Sequence, residues 1–122
     1  MINLTKNFKT PFAPHGISIF KKDSLHVIAA INHTSNGEFI EIFNANIPKV
    51  LEEKGCIEYV PTVDVATGLP PQELNANVVT IIEKWNSTED LMAHLSATHM
   101  RVYREKTKKL VEKMSVKILE AV

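Results

Sequence analysis

Residues Asn77 to Trp85 alternate more cleanly than any other stretch of this chain, with Val79, Ile81, Glu83 and Trp85 on one side and Val78, Thr80, Ile82 and Lys84 on the other. Successive side chains of an extended backbone point to opposite faces, so the pattern predicts a strand, and both of its sides carry apolar residues. Just after it, Ser87 and Asp90 have the spacing of a helix cap, in which a short side chain accepts an amide of the first turn. The expected helix has Leu91, His94 and Leu95 on its inner side. It is broken near Ser96 to Thr98 and resumes from His99 to about Lys113, with Val102, Tyr103 and Leu110 close together and Arg101, Arg104, Glu105, Lys108 and Lys109 outward.

The rest of the chain fits around that strand and helix. Leu25 to Ile31 is short, β-branched and nearly all apolar, which predicts a strand covered on both faces. Ser35 and Glu38 form a second capping pair. Phe39, Ile42, Phe43, Ile47, Val50 and Leu51 then recur at spacings of three and four, with Glu41, Lys49, Glu52 and Glu53 off the stripe. Gly55 suits the end of this helix, and Pro48 within it predicts a kink or a restart near Ile47. A second strand is expected from Cys56 to Asp64, at an edge or a bulge because Pro61 has no amide to donate. Val65 to Ala76 reads as a loop longer than a tight hairpin needs. Ser115 to Val122 alternates as a fourth strand.

The order is β-α-β-β-α-β, an α+β chain of ferredoxin-like arrangement: an antiparallel sheet with both helices on one face. Its other face is left bare although apolar, and a second copy of the chain is the simplest cover, so a homodimer is expected. Met1 to Ser24, with Phe8, Phe12 and Phe20 among Pro11, Pro14 and Gly16, reads as an arm (1–24) outside the main domain (25–122).

Fourteen Lys and Arg balance fourteen Asp and Glu, and no long basic cluster occurs, which argues against nucleic acid and anionic membranes as partners. No apolar run approaches the roughly 20 residues of a membrane-spanning helix, and no secretory leader is evident. A cytoplasmic location is expected. Cys56, the lone cysteine, reads as a small core residue.

The stretch Glu83 to His99, in which a strand ends in Glu-Lys-Trp and the following helix carries Asp90-Leu91, then His94, then His99, resembles the signature of the antibiotic biosynthesis monooxygenase domain. The resemblance extends from about Leu25 to Val122. It implies a ferredoxin-like protomer that pairs into a dimeric α+β barrel. It also implies a choice among cofactor-free monooxygenases of quinols and phenols, haem-degrading enzymes and isomerases of small phosphorylated sugars. Haem degradation in that family uses a histidine further along the last helix and an asparagine on the first strand. Val102 to Lys106 holds no histidine and Leu25 to Ile31 no asparagine, which points away from haem.

Six residues are the candidate site. His94, at helical spacing with Leu91 and Leu95, is expected to face the sheet partly desolvated, either as a general base or as a buried ring that bonds a backbone carbonyl or Glu83. His99 either faces the same cleft or caps the second helical segment. Five residues apart, the two rings lie about 140° around a continuous helix, so no metal is expected between them. Trp85 is either a wall for an aromatic substrate or core packing, and Glu83 an acid that must be paired or protonated if buried. Tyr59 and Tyr103 offer hydroxyls to a substrate.

Together these point to a cofactor-independent monooxygenase taking a small aromatic quinol or phenol and dioxygen, with His94 or His99 removing a phenolic proton. No flavin or dinucleotide motif such as G-x-G-x-x-G follows a strand, and no cofactor is expected. The alternatives are an isomerase using the same histidines, with Arg101 or Arg104 on a phosphate, and a dimeric ligand-binding module without turnover.

Overall fold

A computed structural model describes residues 24–34 and 37–122. The expected arm lies outside the described residues except for Ser24, as does Ser35. Seven elements follow in order: β1 (Leu25–His33), α1 (Glu38–Leu51), β2 (Cys56–Thr62), β3 (Val78–Trp85), α2 (Thr88–Leu95), α3 (Thr98–Thr107) and β4 (Val111–Leu119). The four strands form one sheet in the order β2-β3-β1-β4 with every pairing antiparallel, the expected α+β arrangement with its second helix in two pieces.

The cap at Ser87 forms as expected: its extended backbone precedes α2 and its hydroxyl accepts the Asp90 amide at 3.1 Å. The first helix differs. Its N-cap is Gly37, at φ 106, without a side-chain cap, so the helix starts at Glu38 and not beside Ser35. It also runs unbroken through Pro48 to Leu51, with no restart near Ile47, because Phe39, Phe43 and Val50 on either side of the proline are all locked into the core.

Three strands depart from the expected bounds by two residues or more. β1 continues two residues past Ile31, through Asn32 and His33, because β4 and β3 supply partners that far: His33 pairs with Val111, and the His33 amide bonds the Asn77 carbonyl at 2.9 Å. The first strand therefore does contain an asparagine. β4 begins at Val111, four residues before Ser115, and ends at Leu119. α3 accordingly stops at Thr107 and not near Lys113, where the turn closes with the Leu110 amide on the Thr107 carbonyl. β2 ends at Thr62, and Asp64 instead accepts the Asn75 amide within the loop. Pro61 does lie on an edge strand, and a register shift occurs between Cys56 and Glu58.

Both helical layers lie on one face. There Val27, Ala29 and Ile31 of β1, Tyr59 of β2, and Val79, Ile81 and Trp85 of β3 pack against Phe39, Phe43, Val50, Leu91 and Met100. Leu95, expected on the inner side of its helix, is instead 44% exposed, because α2 ends there and the chain turns away. On the opposite face Ile28, Ala30, Val60, Val78 and Ile82 share one surface and none is fully buried. Among the described residues no helix is long and apolar enough to cross a membrane.

Candidate functional site

The turn after α1 makes the first half of the site. The helix ends at Leu51, and Gly55 takes a left-handed conformation (φ 82) so that Cys56 can start β2. A Cβ on Gly55 would collide with the Asp90 carboxylate of α2, and the Gly55 carbonyl accepts the Asn86 amide at 2.8 Å. The turn is thereby pressed against the junction of β3 and α2, and Glu53 within it is aimed at His94.

The His94 ring, 1% exposed, lies on Trp85 with ring centroids 4.6 Å apart and meets Tyr59 edge-on at 5.5 Å. Its Nδ1 is 2.9 Å from Glu53 Oε2. A carboxylate only accepts, so Nδ1 carries the proton and Nε2 keeps its lone pair, the tautomer of a general base. Burial holds His94 below the usual histidine range; the hydrogen bond and charge of Glu53 oppose that, while His99 and Arg104 add to it. The ring is thus neutral near pH 7, with its carboxylate in place to stabilise the imidazolium that forms on taking up a proton.

His94 opens onto a cavity of about 190 Å³ between sheet and helices, small beside the roughly 300–1,000 Å³ of drug-sized sites. Its floor is apolar, from Val27, Ala29, Ile31 and Ile81, and its polar groups are Tyr59, Glu83, His94, Tyr103 and Arg104. Met114, Val116 and Ile118 of β4 form a further wall and are about half exposed.

Glu83 reaches this cavity from β3, with its Oε1 accepting the Trp85 indole N–H at 2.8 Å. Burial pushes the Glu83 carboxyl up to about 7; the indole bond opposes that shift and the negative Glu53 reinforces it. Burial also drives Tyr59 upward, and Tyr103 up to about 12, so both phenols remain donors. Phe43 holds both, stacked on Tyr59 at 5.2 Å and edge-on to Tyr103 at 5.9 Å. The Cys56 thiol, pushed up to about 12 chiefly by burial, is inert.

Of the six candidates, His94, Glu83, Tyr59 and Tyr103 meet around one cavity. Trp85 does not line it; fully buried, it backs the His94 ring and holds Glu83. His99 lies on the far side of Glu53. Its Nε2 is 2.9 Å from the same Oε2, and it lines a separate groove of about 350 Å³ between α1 and α3. The 140° separation does not apply, since the extended backbone at Ala97 resets the helix and lets both rings meet one carboxylate. Even so, no group of three or more His, Cys, Asp or Glu among the described residues is arranged to hold a metal ion.

Glu53 was missed in the sequence, where it extends the polar face of α1. The signal was Gly55, which says that the helix has ended and that helical spacing no longer decides where Glu53 points. Arg104, expected from the sequence only as a phosphate ligand, is the one of the two named arginines that reaches the cavity.

Residues 26–106 match the family model described as antibiotic biosynthesis monooxygenase. The chain is 38% identical over 81 residues to the Escherichia coli protein named "Probable quinol monooxygenase YgiN", an overlap of 66% of this chain and 78% of that protein. Its fold matches a conserved protein from Methanosarcina mazei Go1 at TM-score 0.71 and 19% identity, over 83% of this chain and 95% of the other. It also matches SnoaB, a cofactor-independent oxygenase from Streptomyces nogalater, at TM-score 0.66 and 11% identity, over 82% and 94%.

Proposed function

The chain belongs to the antibiotic biosynthesis monooxygenase family, and from that premise we propose that it oxidises a small quinol or phenol with dioxygen, using His94 as the base and no cofactor. The observation that carries the reading is the Glu53–His94 hydrogen bond at the wall of a small, mostly apolar cavity. His94 Nε2 removes a hydroxyl proton, Glu53 stabilises the resulting imidazolium, and the electron-rich anion reacts with dioxygen away from bulk water. One oxygen atom enters the ring and the other leaves as water: quinol plus O₂ becomes hydroxylated quinone plus H₂O, with His94 returning its proton to the departing oxygen. Tyr59, Tyr103 and protonated Glu83 donate hydrogen bonds to substrate oxygens, and Arg104 at the rim offers a positive charge to the anion.

The reading includes a homodimer. Met114, Val116 and Ile118, each about half exposed on an edge strand, and the part-exposed outer face of the sheet are apolar surface that a second copy would cover. Light scattering is expected to give about twice 13.7 kDa.

The deciding experiment is oxygen uptake by metal-stripped protein with a panel of hydroquinones and anthrones. Wild type is expected to consume one O₂ per quinol, and His94→Ala to be slower by about 10²–10⁴-fold. No uptake with any member of the panel overturns the reading. An isomerase, with Arg104 on an anionic group, would instead convert substrate without uptake. A binding module would keep its affinity in His94→Ala.

A further inference from the structure

Glu53 Oε2 lies 2.9 Å from a nitrogen of each of two histidines, and the two contacts are unequal. His94 Nδ1 makes a hydrogen bond. His99 Nε2 approaches equally closely but out of line, and both of its ring nitrogens are buried without a hydrogen-bond partner. Leaving a buried polar group unsatisfied is costly, and a small ring rotation that brings Nε2–H into line with Oε2 satisfies one of the two nitrogens. The oxygen has lone pairs for both rings.

We propose that His99 is a positioning residue: from the groove between α1 and α3 it sets how strongly Glu53 supports His94. The inference rests on His94 being the base. Each proton donated to Oε2 from His99 draws negative charge away from the side that faces His94, weakening the support for an imidazolium there. When His99 is protonated on both nitrogens it pairs with Glu53 and also repels a charged His94. The electrostatics agree in direction, since His99 lowers His94 whereas Glu53 raises it. The charged and titratable groups facing His99 are Glu53 from the turn, Glu41 and Lys49 from α1, His94 from α2, and Tyr103 and Lys106 from its own helix, while Arg104 faces the His94 cavity. The ring thus joins the interior cavity to a solvent-facing groove through one carboxylate oxygen.

The test is the titration of His94, followed by the NMR signal of its ring Cε1–H in the full chain for wild type, His99→Gln and His99→Phe. In His99→Phe, which removes both donor and charge, His94 is expected to titrate higher by about half a pH unit or more. In His99→Gln, which keeps a neutral donor, it is expected to fall between the other two. The acid limb of kcat should move with it while KM stays near the wild-type value. His94 titrating at the same pH in all three proteins overturns the proposal, and His99→Gln carries the test alone if the phenylalanine variant does not fold. Because this readout needs no turnover, its failure differs from failure of the monooxygenase reading, which is absence of oxygen uptake in the wild type.

Discussion

The cavity has two unlike ends. At one, His94 and Glu83 are held from behind, by the Trp85 ring lying on His94, by the indole hydrogen bond to Glu83, and by Glu53 from a turn pressed against α2. At the other, Met114, Val116 and Ile118 stand on an edge strand about half exposed. Under the proposed function the difference separates two jobs. Proton transfer needs groups fixed to within fractions of an ångström, whereas admitting an apolar molecule needs only apolar surface that something can cover.

The largest expected effect on stability comes from removing the trapped acid of the fixed end. Glu83 is raised from 4.5 to about 7, so the fold holds its proton more tightly than the unfolded chain does. Its contribution is therefore present at low pH and is lost as pH rises from the usual carboxylate range through about 7. Glu83→Gln is expected to abolish that loss, about 3 kcal/mol between pH 4.5 and 8, seen as a smaller fall in urea midpoint across that range. His94 has the opposite sign: it is depressed, so stability falls as pH drops below about 6.5, and this slope should survive in the variant.

Next comes Gly55→Ala, which meets both an unfavourable φ and the Asp90 carboxylate, with an expected loss of about 1–3 kcal/mol and a weakened Glu53–His94 bond. Gly68→Ala in the loop has nearly the same φ, 80, and open space around the new methyl group, so thermal melts should show it costing less. Equal losses would mean that the turn is not clamped as described. Smallest is Val116→Ser at the open end, expected to cost about 0.5 kcal/mol, to raise KM for an apolar quinol and, because the proposed second copy covers this wall, to lower the melting temperature more as the protein is diluted. A loss independent of protein concentration would show that no second copy sits on this wall.

How far the sequence could be read follows the same division. The alternation of Asn77 to Trp85 and the Ser87 cap report local geometry, and strand, helix and cap formed where those patterns place them. The boundary between α3 and β4 was not legible. Lys108 to Met114 carries no decisive period, and only pairing with β1, distant in sequence, makes Val111 to Met114 a strand. The gathering of His94, Glu83, Tyr59 and Tyr103 around one cavity was legible, because all four sit inside regular elements. The site was illegible in Glu53 and His99, whose directions are set by a turn and a helix break, and in Trp85, whose role depends on which side of the His94 ring it occupies.

The strand order also carries a kinetic consequence. β1 sits in the middle of the sheet, and its outer partner is the last strand: His26 pairs with Leu119, 93 residues later. Closing so long a loop is slow, and during synthesis β1 waits with one unpaired edge until β4 has emerged. The open wall of the cavity is therefore built after its fixed end, and a chain clipped before β4 holds His94 and Glu53 beside a half-made container.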